Sequence, residues 1–193
     1  AGALKHLCAP MLELRHENTV RQIAAISEAG IELTEEEVRS EAGESSMLYK
    51  QHIMAVLVKK GYTDGIYSSL YTSLFKGNGV AAGDITYVHY RDAIAAVLDD
   101  GGVPVLAHPG QQKCLDLVST MVREGLEGIE MNHPDHTMEM RLEIIETAKR
   151  YDLLLTGGSD FHGDYGSPAS LGGFTAPENF TRKWRKKQES LVK

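Results

Sequence analysis

The sequence predicts an α/β chain in which a helical first part is joined to a parallel sheet. Three observations carry that prediction. From about residue 84, short apolar runs alternate with segments of helical spacing, the rhythm of parallel strands joined by crossovers. Before that point about 83 residues show helical periodicity alone. Each predicted strand also ends in a histidine-bearing segment, whereas the opposite ends carry glycines.

In chain order, Val20, Ile23, Ala24 and Ser27 fall on one helical face, and Gly30 is placed to stop that helix. Thr34-Glu35-Glu36-Glu37 has the form of a capping box opening a helix through Val38. Ser46 to Lys60 reads as a third helix and Ile66 to Phe75 as a fourth, followed by the loop Gly77-Asn78-Gly79. Tyr90 to Asp99 is a helix, Val103 to Ala107 a buried strand, and Cys114 to Arg123 a helix. Leu126 to Met131 is the next strand, Asp135 to Tyr151 the longest helix, and Asp152 to Thr156 the last strand. The expected division is a helical subdomain over 1–83, a strand-bearing part over 84–178 and a basic tail over 179–193. That tail holds Arg182, Lys183, Arg185, Lys186 and Lys187, read as a solvated helix.

The 193 residues are 42% hydrophobic and 24% charged, an ordinary globular composition. A net charge of −7 argues against a general nucleic-acid grip through a basic surface. No apolar run approaches a membrane span, and AGALKHL lacks the features of a secretory signal. Without an initiator Met, the chain is expected to be processed, trimmed or a fragment. Two cysteines, Cys8 and Cys114, are too few for a disulfide framework and fit a reducing cytoplasm.

In parallel α/β folds the site lies beyond the carboxyl ends of the strands. Those ends read AHPG with His108, EMNHPDH with Glu130, His133 and His136, and SDFH with Asp160 and His162. Imidazole and carboxylate donors without thiolate suit Zn, Mn or Fe. His108, Asp160 and His162 are therefore expected to be metal ligands. The blander alternatives are a satisfied core histidine, a turn aspartate and a surface histidine. His133 and His136 either flank the helix near Asp135 or, for His136, contact substrate. Glu130 is either an orienting carboxylate behind a ligand or a core-edge group. In YKQHIMAVLVKKG, His52 is a structural helix histidine or, with Lys50, meets an anion. His6, His16 and His89 are read as surface residues.

VLAHPG, followed about fifty residues later by LTGGSDFHG, resembles the last two motifs of the PHP (polymerase and histidinol phosphatase) superfamily. EGLEGIEMNHPDHT looks like a strand segment of one branch, and QHIMAVLVKKGY like part of the helical insertion over its site. That branch is similar to 3′,5′-nucleoside bisphosphate phosphatases and 5′–3′ exoribonucleases, and the resemblance covers about residues 12 to 178. It implies a distorted (β/α)₇ barrel, up to three divalent metals (Mn, Zn or Fe) and metal-dependent hydrolysis of phosphate esters. The expected substrates are phosphate monoesters of nucleotides or nucleic-acid ends, including an RNA 5′ end. His108, Asp160 and His162 match metal-ligand positions, and His52 matches the insertion histidine that helps hold phosphate. Lys50 stands where that branch often has Arg.

The opening D-x-H-x-H motif of the superfamily does not occur here, so the resemblance is to its last strands and the insertion. On that reading the chain is a fragment, inactive alone, with strand edges that favour pairing with another copy. A C–N hydrolase of amidohydrolase type, and a non-catalytic nucleotide- or protein-binding remnant, are the alternatives.

Overall fold

A computed structural model describes residues 2–166 and 169–178, so the basic tail lies outside the described residues. The chain separates into two compact units. Of the described residues, one contains 88–161 with 2–4 and 169–178, and the other contains 5–87 with 162–166.

The first unit is built on three parallel strands in the order β1-β2-β3: β1 (Val105–Leu106), β2 (Gly128–Asn132) and β3 (Leu154–Gly157). Around them run α5 (Tyr90–Asp99), α6 (Pro109–Gln112), a 3-10 turn (Leu115–Leu117), α7 (Val118–Arg123) and α8 (Met138–Tyr151). Ile94, Val118, Met121, Ile129, Ile144, Ala148 and Leu153 close one apolar core beneath the sheet. β2 pairs through Val105–Gly128 and Leu106–Ile129 on one side and Gly128–Leu154 to Asn132–Gly157 on the other. A register irregularity between Glu130 and Asn132 falls at the carboxyl end of this central strand. Such irregularities re-aim side chains where they occur.

The second unit holds nearly all of α1 (Ala3–Glu28), with α2 (Glu35–Ala42), α3 (Lys50–Lys59) and α4 (Ser69–Phe75). Its core gathers Ile23, Ile26, Leu33, Val38, Ile53, Met54, Leu57, Leu74 and Phe75. Every residue of α3 from His52 to Leu57 is buried, which makes it the central helix of this unit.

Several elements differ from the sequence reading, among them α4, which starts at Ser69 instead of Ile66, and the run from Cys114, which opens as a 3-10 turn before α7. The longest described helix is α1, 26 residues against 14 for α8. Only Thr19, Gln22, Ile23 and Ile26 of α1 are buried, so most of its length carries no apolar period to read. Its start is capped from a distance, since the Asp100 carboxylate accepts from the backbone N–H groups of Gly2, Ala3 and Leu4 at 2.9–3.1 Å. β1 is shorter and less buried than expected, with Val105 38% exposed, because Pro104 lacks an N–H and the chain turns at His108. α3 begins at Lys50 instead of Ser46. α8 begins at Met138 behind the cap Thr137, whose hydroxyl accepts from Met140 N–H, leaving Asp135 and His136 in the loop.

Candidate metal and phosphate site

His108, His133 and Asp160 follow the carboxyl ends of β1, β2 and β3 in the strand unit. The His108 and His133 rings lie 5.7 Å apart, and His133 Nε2 is 3.6 Å from Asp160 Oδ2, longer than a hydrogen bond. Four described non-glycine residues have left-handed backbone: His108 (φ 31°), Lys113, Asp152 and Asp160 (φ 49°). Lys113 and Asp152 are helix C-caps, a common place for that conformation. His108 and Asp160 have no such explanation, and strain of this kind gathers at functional sites.

The surroundings hold these residues in place. Glu130 Oε2 accepts from the His108 N–H at 2.7 Å, so this carboxylate grips the backbone of the candidate ligand. His136 is buried with both nitrogens engaged: Nε2 accepts from Gly110 N–H at 3.2 Å, and Nδ1–H donates to Met131 O at 2.9 Å. Gly110 is required there, because a Cβ would sit 2.7 Å from His136 Cδ2. His133, 1% exposed, accepts at Nδ1 from Asp135 N–H at 3.2 Å, which places its proton on Nε2 when neutral. Arg141 donates to the His133 carbonyl at 3.3 Å and stacks over Phe174.

The helical unit carries His52, Lys50 and His162. His52 is buried at 8% exposure and accepts at Nδ1 from Tyr49 N–H at 3.2 Å, which leaves Nε2–H as a donor. The Tyr49 and Tyr165 rings meet it edge-on at 5.6 and 5.3 Å. Burial pushes the His52 imidazole below its ordinary value, and the Glu41 carboxylate offsets part of that. Lys50, first residue of α3, reaches Asp84 at 3.0 Å. The Asp84 carboxyl lies below its ordinary value: burial raises it, and the bonds from Lys50 and Ile85 N–H outweigh that. His162 is exposed and precedes the 3-10 turn Gly163–Tyr165.

Two of the three histidines read as surface residues have partners. His16 Nδ1 accepts from Leu48 N–H, and exposed His89 caps α5 by accepting from Arg91 N–H. No sequence motif points to Tyr165, to Glu41 or to the partner of Glu130. Their contacts span 22 to 124 residues of sequence, and no local pattern reports them.

By donor type these residues suit a divalent cation, and the buried His108 Nδ1 has no hydrogen-bond partner, whereas the unpartnered His133 Nε2 carries the proton of its neutral ring. Among the described residues no three His, Cys, Asp or Glu side chains are grouped closely enough to hold a metal ion.

No family model matches the chain. It is 46% identical over 172 residues to the phosphoribosyl 1,2-cyclic phosphate 1,2-diphosphodiesterase of Eggerthella lenta, covering 89% of this chain and 66% of that protein. The similarity is to phosphoesterases. A Bifidobacterium adolescentis crystal structure, provisionally named a metal-dependent phosphoesterase, superposes with a TM-score of 0.85 at 26% identity. It covers 94% of this chain and 65% of that one. An amidohydrolase of Chromobacterium violaceum, with bound sulfate and no metal, matches with a TM-score of 0.75 over 89% of this chain and 63% of its own. At 22% identity that likeness concerns the fold alone. The chain thus spans just under two thirds of the length of each of these proteins.

Proposed function

We propose that the protein is a metal-dependent phosphoesterase, with His108, Asp160 and His162 as ligands of a divalent cation. The observation that carries this reading is the placement of His108 and Asp160, both in left-handed backbone, beyond the carboxyl ends of parallel strands. The 46% identity to a diesterase supports the same reaction class. A cation held there would polarise phosphoryl oxygen and lower the pKa of a bound water toward about 7.

The chain's own residues do the rest. His52 presents Nε2–H to the phosphate from a buried ring of fixed tautomer. Lys50 offers an ammonium that an incoming phosphate would take from Asp84. Glu130 and His136 hold the His108–Gly110 turn from behind, and direct contact of His136 with substrate would require one of its two bonds to break.

Nucleotide monoesters and nucleic-acid ends remain within this class, but the relative's name makes a cyclic phosphodiester of ribose the first substrate to try. The test is phosphate-ester hydrolysis with added Mn²⁺, measured on that diester, on a nucleoside monophosphate and on an amide. Turnover of a phosphate ester, abolished by chelator and reduced at least about a hundredfold in His108→Ala, is expected. Amide turnover alone, or chelator-insensitive ester hydrolysis, would refute the assignment.

A further inference from the structure

The turn after Asp160 and His162 is held by a contact that the reaction as proposed leaves unused. Gly163–Tyr165 is closed by Tyr165 N–H donating to His162 O and Gly166 N–H to Gly163 O, both at 3.3 Å. A Cβ at Gly166 would lie 3.0 Å from His162 Cβ and 3.1 Å from its N, so the turn folds directly against His162. At the end of the turn Tyr165 meets two helices of the same unit. Its hydroxyl lies 3.0 Å from Glu41 Oε1 and 3.3 Å from Glu41 O at the end of α2, and its ring meets the His52 imidazole of α3 edge-on. The other Glu41 oxygen takes the Lys59 ammonium, so the acceptor is itself fixed.

We infer that Tyr165 is a positioning residue: one ring and one hydroxyl pin the turn that carries His162 and brace the imidazole of His52. This rests on the reading of His162 as a metal ligand and His52 as a phosphate contact. A tyrosine that merely filled space would contribute to the stability of α2 and α3 as a whole. A clasp instead governs the local opening of five residues, His162 to Gly166.

The inference is tested on the metal-free 193-residue chain with Tyr165→Phe and Tyr165→Ala. Hydrogen exchange at the bonded amides of residues 165 and 166 should quicken about tenfold in Tyr165→Ala, with α2 and α3 exchanging as in the wild type. Tyr165→Phe, which keeps the ring on His52 and loses the bond to Glu41, should fall between. Unchanged exchange at 165 and 166, or acceleration spread evenly over α2 and α3, overturns the clasp. Mn²⁺ titration followed by electron paramagnetic resonance then separates the two ideas. His162→Ala and Tyr165→Ala should both weaken binding, the second by about tenfold. A His162→Ala chain that binds as the wild type does refutes the ligand reading and the link to metal with it. A chain that loses Mn²⁺ in His162→Ala but keeps it in Tyr165→Ala refutes positioning alone.

Discussion

His108 and Asp160 are held in backbone that costs free energy for a residue with a side chain, and neither ends a helix in the way that Lys113 and Asp152 do. Their place beyond strand ends was legible in sequence, because a histidine before Pro-Gly and an aspartate between glycines are local patterns. What holds them was not: the bond from His108 N–H to Glu130 and the clasp of Tyr165 on Glu41 join residues far apart in the chain. His52 gives a prediction at this scale. Burial keeps its imidazole neutral where the same ring in the unfolded chain, titrating near about 6.5, has begun to take a proton. The stability this contributes is complete above that pH and is lost as pH falls from about 6.5 toward the lowered folded value. Guanidinium unfolding midpoints measured between about pH 7.5 and 5.5 should therefore fall more steeply in the wild type than in His52→Asn. Equal slopes would contradict it.

Among the elements, α2 was the most legible. Thr34 accepts from Glu37 N–H at 3.2 Å, Glu37 accepts from Thr34 N–H at 2.9 Å, and the helix runs Glu35–Ala42 as its capping box announces. Thr34→Ala should cost about 1 kcal/mol, read from chemical unfolding, and an unchanged midpoint would show that the box is idle. α5 was equally clear, with His89 as its cap. The late starts of α3 and α8 were not, since a run that looks helical by spacing begins only where a cap or a side-chain bond closes the first turn. At α3 that bond is His52 Nδ1 receiving Tyr49 N–H, which also fixes the tautomer of the ring assigned to phosphate.

At the scale of the whole molecule, the described residues close two separate apolar cores. One core draws on residues 23–81 and the other on 94–153, with the chain passing between units at Tyr87–Val88. The short segment 162–166 belongs with the helices even though its motif is continuous with Asp160, and no periodicity could have revealed that. No helix among the described residues is long and apolar enough to cross a membrane. Val105 on β1 is 38% exposed, and an open strand edge of this kind favours pairing with another chain. Light scattering should show self-association at high concentration that Val105→Lys reduces; a monomer at every concentration would exclude it.

His108, Asp160 and His162 are proposed to hold a divalent cation. The most direct test is elemental analysis of the purified chain and of His108→Ala, Asp160→Ala and His162→Ala after equilibration with Mn²⁺. Bound metal is expected in the wild type, with loss of most of it in all three variants. Wild-type metal content in His108→Ala and Asp160→Ala would contradict that assignment.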